Sequence, residues 1–552
     1  MRARAIVLFV VGWAALWFAA YPCTDIVVGK EASVDGSVIT SHTCDEGGPS
    51  LSGLLGHGGS SGVGYDARIR VVPAQDWPEG AMVPIYRQLC NVGPQTVLEK
   101  VGEIPQVSHT YAYFHVAYPF MNEHQVAMGE TTIAQRRKLT PSEHAIMTIE
   151  QLEAIALQRA RTAREAIKIM GALAEKYGFQ SSCWYMAECV TVTDPNEAWV
   201  FEVYGVGPLW TPDSGKPGAI WAARRVPDDE VCVVPNISRI GVIDPQSPDF
   251  MFSSNYMEVA IENGWYDPKS GKPFNLTEAY TPETGEVGDW AADSVWVLNR
   301  LWYIYSTLCP SRKWDVNAPL SSYPFSVKPE KKLSVQDVIA FQRSTFQGTP
   351  FDPADVPAWY VSDGKGGRVK SPLATPFLNE DAMALLGITP DSPSYRPIAR
   401  YNCSYGFVSQ VRSWLPDPIG GVVWYYNDNP ATSIYVPVYC GIQQTPISWQ
   451  TNDRYIYSRD SAWWAFATVD LLVNLRYQEA INDLKAVRDP LEEEFFKLQP
   501  AVEEAALALY KANPELMVRF LTQYSQSCML RAEEAYWKLA DYLMCKYNNN
   551  QF

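Results

Sequence analysis

The sequence predicts an α+β fold. Three observations lead there. Strand-like runs rich in Val, Ile, Thr and aromatics dominate the first half. Helical stretches fall between and after them, without the regular alternation of a doubly wound sheet. From about Ser461 the character turns to long amphipathic helices.

In chain order, Cys23 to Lys30 and Asp35 to Asp45 read as two short strands around a tight turn. A Gly/Ser-rich run from Gly47 to Gly64 reads as a loop, and strand character resumes over Tyr65 to Pro73. Tyr111 to Tyr118 and Gln125 to Thr132 predict a hairpin turning at Asn122-Glu123-His124. Ile149 to Tyr177 carries apolar residues at helical spacing, and Gly178 ends it. Cys189 to Val203 predicts strand, turn and strand, and Val231 to Ile243 two β segments around Asn236. Asp293 to Leu308 and Ser334 to Phe346 read as helices. Ser404 to Trp414, Gly420 to Tyr426 and Ser433 to Val438 return to strands. The helices that follow run over Leu471 to Val487, Leu491 to Ala512 and Glu515 to Tyr547, with Pro490 and Pro514 as punctuation. The expected division is a leader over 1–22, a catalytic domain over 23–455 and a helical C-terminal region over 456–552 packed on the core.

The 552 residues can bury a large core, and a net charge of −16 argues against a nucleic-acid binder. Arg2 and Arg4, the apolar run Ala5 to Phe18 and the small pair Ala19-Ala20 have the grammar of a secretory signal. The competing reading, a membrane anchor, needs a longer apolar run. No later segment is apolar for long enough to span a bilayer. The expectation is therefore an exported protein, periplasmic, cell-surface or secreted, without stable membrane insertion once the leader is gone. Of the eleven cysteines, Cys23 stands apart; the others are either paired or buried as free thiols.

Cys23 follows the leader directly. As the first residue of a mature chain it would carry both a thiol and a free α-amine, a nucleophile and a base on one residue. The alternatives are a buried structural thiol and a lipid-acylated cysteine. Ala20-Tyr21-Pro22 is a poor lipoprotein context, and acylation would block the amine. The best small-residue cleavage point follows Ala20, so Tyr21-Pro22 calls for a second removal step.

The run Cys23-Thr24-Asp25-Ile26-Val27-Val28-Gly29-Lys30, continuing to Asp35-Gly36-Ser37, resembles the start of the C69 dipeptidases. These are cysteine N-terminal-nucleophile (Ntn) hydrolases related to penicillin V acylase and bile salt hydrolase. Further matching stretches include Asn122 to Glu130, Arg159 to Ala166, Asp194 to Trp199, Trp221 to Asp229 and Phe346 to Asp352. The resemblance implies a four-layer αββα sandwich and cleavage of amide bonds in short peptides through a thioester. It implies that Asp45 holds the Cys23 ammonium, that His42 stands where relatives carry Arg, and that Asn236 is an oxyanion donor. A second oxyanion donor would fall near Thr131. Arg300 takes the place of an Arg near the nucleophile, with Arg224 and Arg225 as competitors. For His42 the competing reading is a solvated strand-end histidine; for Asn236, a turn residue after Pro235; for Arg300, a structural ion pair.

All six histidines lie at or before His144, and no His-Glu-x-x-His string exists, so no metal or other cofactor is expected. Gly58-Gly59-Ser60-Ser61-Gly62 matches a serine-hydrolase string but lacks its strand-to-helix context. The expected function is an exported cysteine dipeptidase acting on short peptides, possible as a homo-oligomer. An amidase for N-acyl amino acids or bile-salt-like amides is the second reading, and a lipid-anchored binding protein acylated at Cys23 the third.

Overall fold

The structure, a computed structural model, describes residues 23–45, 64–87, 91–92, 98–182, 186–282, 294–378, 380–389, 392 and 396–548. The expected leader, most of the Gly/Ser-rich run with its Gly58 to Gly62 string, and Cys90 and Cys183 lie outside these residues.

The chain is a mixed α and β protein built on two large antiparallel sheets. One has seven strands, in spatial order Ser326–Val327, Val231–Val234, Asp25–Val28, Val38–Asp45, Cys403–Val411, Val422–Asn427 and Val436–Tyr439. The other has eight, from Phe250–Phe252 through Ile220–Val226, Ala198–Tyr204, Ala187–Thr193 and Ala127–Ile133 to Met121–Asn122, Tyr113–His115 and Arg70–Val72. The Thr40 and Thr191 hydroxyls meet at 2.7 Å between the sheets. A Cβ on Gly129 would come within 2.9 Å of the Ser41 carbonyl oxygen, so glycine is what lets Ala127–Ile133 lie this close to Val38–Asp45.

The opening strand forms because Ile26, Val27 and Val28 suit a pleated, buried surface. Its return is set by Asp35, whose carboxylate accepts from the Ser37 N–H, and by Gly36 at φ 87°. The register with Cys403–Val411 shifts between Cys44 and Asp45, at the end of the second strand. Helices cover both sheets. Ala163–Tyr177 packs on Ala187–Thr193 and its neighbours, and Val335–Gln342 on Val38–Asp45 and Cys403–Val411.

Several elements differ from the sequence reading. Ile149 to Tyr177 is two helices, Ile149–Arg159 and Ala163–Tyr177, because Thr162 caps the second by accepting from the Glu165 N–H. The expected hairpin is three strands, since Met121–Asn122 pairs with both Tyr113–His115 and Ala127–Ile133. After Val231–Val234 there is no second strand; the chain turns at Asn236 and Val242 only bridges to Asn275. Pro490 does not break its helix, which runs Tyr477–Ala512 with Pro490 and Pro500 inside, while Pro514 opens Pro514–Tyr547. These long helices share one apolar core with the sheets, through Leu484, Phe495, Leu521 and Tyr536. Among the described residues the cysteines are free thiols, all buried except Cys545, and no helix is long and apolar enough to cross a membrane.

Candidate active site

Cys23 stands just before the strand Asp25–Val28 and is 3% exposed. The Thr24 N–H donates to the Thr43 hydroxyl at 2.9 Å, which fixes the start of the strand. Arg300, on the helix Val295–Leu308, holds the same segment. Its Nη1 donates to the Cys23 carbonyl at 2.9 Å, the Thr24 hydroxyl at 2.7 Å and Asn236 Oδ1 at 3.0 Å. Its Nη2 donates to the Pro235 carbonyl at 2.7 Å, and its Nε back to the Trp296 carbonyl at 3.0 Å. A fully buried guanidinium is costly unless its donors are used. Here they go to backbone and side-chain oxygens, not to the ion pair weighed from the sequence. The competitors are placed elsewhere: Arg224 donates to the Ile240 carbonyl, and Arg225 joins Asp228, Glu197 and Asp249.

Asn236 adopts φ 68°, a left-handed conformation that Asn tolerates better than other residues with a Cβ. Its Nδ2 donates to the Thr132 carbonyl at 2.9 Å while its Oδ1 accepts from Arg300. Those partners fix which end of the amide is which. One Nδ2 hydrogen remains for an oxyanion.

Asp45 ends the second strand and is 1% exposed. Its Oδ2 accepts from Arg396 at 2.7 Å, and its Oδ1 has no hydrogen-bond partner. Burial pushes the Asp45 carboxyl up, against the pull of Arg396 and Arg400. The free oxygen is what an ammonium on Cys23 could use. Arg396 is thus the buried positive charge paired with Asp45.

His42 is fully buried, which overturns the solvated reading. Its Nδ1 meets Asp25 Oδ1 at 3.2 Å, and the Tyr118, Tyr405 and Phe407 rings surround it. Burial lowers its pKa, against the Glu130 and Asp45 charges, which favours the neutral ring. Thr131 is also fully buried, beside the Asp25 carboxyl.

Glu130 carries no site role in the sequence reading, yet it faces Cys23. Cys23 Sγ points to Glu130 Oε2 at 3.9 Å. Burial, then the Glu130, Asp45 and Asp25 charges, push the Cys23 thiol well above its usual range. The thiol is therefore not ionised in advance and needs a base. Burial also pushes the Glu130 carboxyl up to about 7. A carboxyl raised in the folded state contributes stability that is full below its unfolded pKa and is lost as pH rises through its folded one. Glu130→Gln is therefore expected to gain on the wild type between pH 5 and pH 8, by about 3 kcal/mol at most given the rise from 4.5 to about 7. Urea midpoints at the two pH values measure it, and a gain that is equal at both would refute the assignment.

Two of the residues outside the sequence reading leave a trace in the sequence. Asp25 and Glu130 are charges inside strands that are buried on both faces. Arg396 lies in an irregular segment and leaves none.

The sequence profile of Peptidase family C69 matches residues 22–489. The chain is 25% identical over 533 residues to a probable dipeptidase B of Lactococcus lactis, covering 92% of this chain and 97% of that one. It is 25% identical over 503 residues to a dipeptidase of Bifidobacterium longum, covering 85% of this chain and 80% of the relative. A dipeptidase A of Lactobacillus helveticus is 24% identical over 446 residues, 78% of each chain. The match spans both sheets and every residue of the Cys23 constellation, and the chain belongs to Peptidase family C69.

Proposed function

We propose that the protein is an exported cysteine dipeptidase whose mature chain begins at Cys23. The observation that carries this reading is the convergence on Cys23 of Arg300, the Asp45 carboxyl with its free oxygen, and the half-used Asn236 amide. The dipeptidase names of the relatives support the substrate class. In this reading the two sheets with their covering helices are the four-layer αββα sandwich of Ntn hydrolases, catalysis resides in 23–455, and 456–552 buttresses it.

Removal of the leader and of Tyr21-Pro22 frees the Cys23 amine. Its reference pKa of about 7.7–8.0 leaves a neutral fraction that takes the thiol proton. The thiolate attacks the peptide carbonyl, and the second Nδ2 hydrogen of Asn236 meets the oxyanion, with Thr131 as the second candidate donor. Asp45 Oδ1 orients the ammonium, which then protonates the leaving amine. Water hydrolyses the thioester and regenerates the thiol.

Glu130 favours dipeptides over N-acylated substrates. A buried carboxyl 3.9 Å from the nucleophile suits a free α-ammonium, which a dipeptide carries and an N-acyl amino acid does not. The test joins mass spectrometry of the active enzyme's N-terminus to a substrate panel. The expected result is an unmodified Cys23 terminus and faster hydrolysis of dipeptides than of their N-acetyl forms. Tyr21 or an acylated Cys23 at the terminus of active enzyme would refute the mechanism. Preference for acylated amides would refute the substrate class.

A further inference from the structure

We propose that the mature active site binds one zinc ion through Cys23, His42 and Glu130, and that this occupancy switches the peptidase off. The inference rests on the reading above for one ligand only, the freed Cys23 amine. The other three come from geometry.

Cys23 Sγ, a ring nitrogen of His42 and a carboxylate oxygen of Glu130 all lie within 4.8 Å of one another, and all three side chains are buried. Zinc bonds of about 2.0–2.3 Å in a tetrahedron set ligand atoms roughly 3.3–3.8 Å apart. The Cys23 Sγ to Glu130 Oε2 separation of 3.9 Å lies just beyond that spacing, within reach of a small side-chain adjustment. A sulfur, an imidazole nitrogen and a carboxylate oxygen form a donor set suited to zinc.

His42 supplies the independent observation. Its Nδ1 is committed to Asp25, and its Nε2 has no hydrogen-bond partner although the ring is fully buried. An unused polar atom in a buried place costs stability and calls for an explanation. A carboxylate on one ring nitrogen with the other left open is the arrangement by which metal-binding histidines are oriented. The ligands come from residues 23, 42 and 130, so no linear spacing in the sequence could reveal them. The expectation of a metal-free protein rests on linear motifs alone.

The fourth ligand is the Cys23 amine, which closes a five-membered chelate with its own thiolate. Binding releases the thiol proton, the ammonium proton and, where present, the Glu130 proton, with no change of oxidation state. Affinity therefore rises with pH. The bound ion offsets the charges of the thiolate and the Glu130 carboxylate, whose repulsion adds to burial in holding the free thiol protonated. It also takes the sulfur and nitrogen lone pairs that attack and proton transfer require, so the zinc form is inactive until a chelator removes the metal.

The test uses full-length processed enzyme with its N-terminus verified by mass. Zinc is titrated by calorimetry and in the peptidase assay, and Co2+ serves as the spectroscopic probe. The expected result is one equivalent of zinc, loss of activity in step with occupancy, and recovery with EDTA. Co2+ should give a thiolate charge-transfer band in the near ultraviolet that is absent in Cys23→Ser. His42→Gln and Glu130→Gln, shown folded by circular dichroism, should each bind zinc at least about tenfold more weakly. The Co2+ spectrum of the wild type decides the matter if those variants do not fold. Absence of saturable equimolar binding, or a charge-transfer band that survives in Cys23→Ser, would overturn the proposal. Active enzyme with a free Cys23 terminus that ignores zinc would sink this inference alone. Activity without that terminus would sink the functional reading instead.

Discussion

Cys23→Ala is expected to lower kcat/KM for dipeptides by at least about 10⁴-fold while leaving the fold intact. Removing a nucleophile abolishes the covalent route, and the remaining oxyanion donors recover only a residue of the rate. The fold should survive because the side chain does little for it. The side chain makes a long contact to Glu130 at 3.9 Å, and Arg300 grips the Cys23 carbonyl, which alanine keeps. Truncating one sulfur opens a small cavity next to polar groups that water can solvate. The urea midpoint should therefore move little, and the unfolding slope not at all. The alanine variant, processed to the same terminus, retains the amine, Asp45 and Asn236, so the assay isolates the thiol. Hydrolysis at more than about a hundredth of the wild-type rate would end the thioester mechanism.

The sequence makes some of this site legible and hides the rest for physical reasons. Cys23, Asp45 and Asn236 sit at strand ends or turns, where polar residues interrupt apolar runs and can be seen locally. Arg300 is visible because a charge inside an apolar helix demands a partner. What that partner would be is not visible, since its acceptors beyond its own helix lie 64 to 277 residues away. Arg396, 351 residues from Asp45, has no local signature at all. The solvated reading of His42 fails because its strand is internal to one sheet, faced by the other sheet and by the helix Val335–Gln342, and a strand buried on both faces loses the alternation that reports exposure. Glu130 shows in the sequence as a charge within such a strand, but what it faces does not. Among the fold elements, the differences come from local signals that tertiary context overrides. Pro490 lies within a 36-residue helix, where the lost N–H is offset by packing along both neighbours. The Thr162 cap is legible as Thr-x-x-Glu, but apolar spacing continues through it and masks the break.

Arg300→Met is expected to give the largest loss of stability of any single change at the site, about 3–5 kcal/mol, together with a fall in kcat of roughly 100-fold or more. Methionine fills most of the space and removes the donors. Five oxygens then lose a charged donor: the Cys23, Pro235 and Trp296 carbonyls, the Thr24 hydroxyl and Asn236 Oδ1. Each such bond is worth about 1.5–3 kcal/mol, and their sum is less than additive because one side chain serves them all. The kinetic effect has a separate origin. Without Arg300 on Oδ1, only the Thr132 carbonyl holds the Asn236 amide, and its left-handed backbone loses the contact that offsets its strain. The oxyanion donor then points less reliably, which lowers kcat and leaves KM nearly unchanged. Arg300→Lys separates the two effects. A single ammonium can reach the Cys23 carbonyl or Asn236 but not the whole fan of acceptors, so partial stability should return ahead of kcat. Recovery of full kcat in the lysine variant, or an unchanged kcat per folded molecule in the methionine variant, would reduce Arg300 to a strut with no part in positioning Asn236.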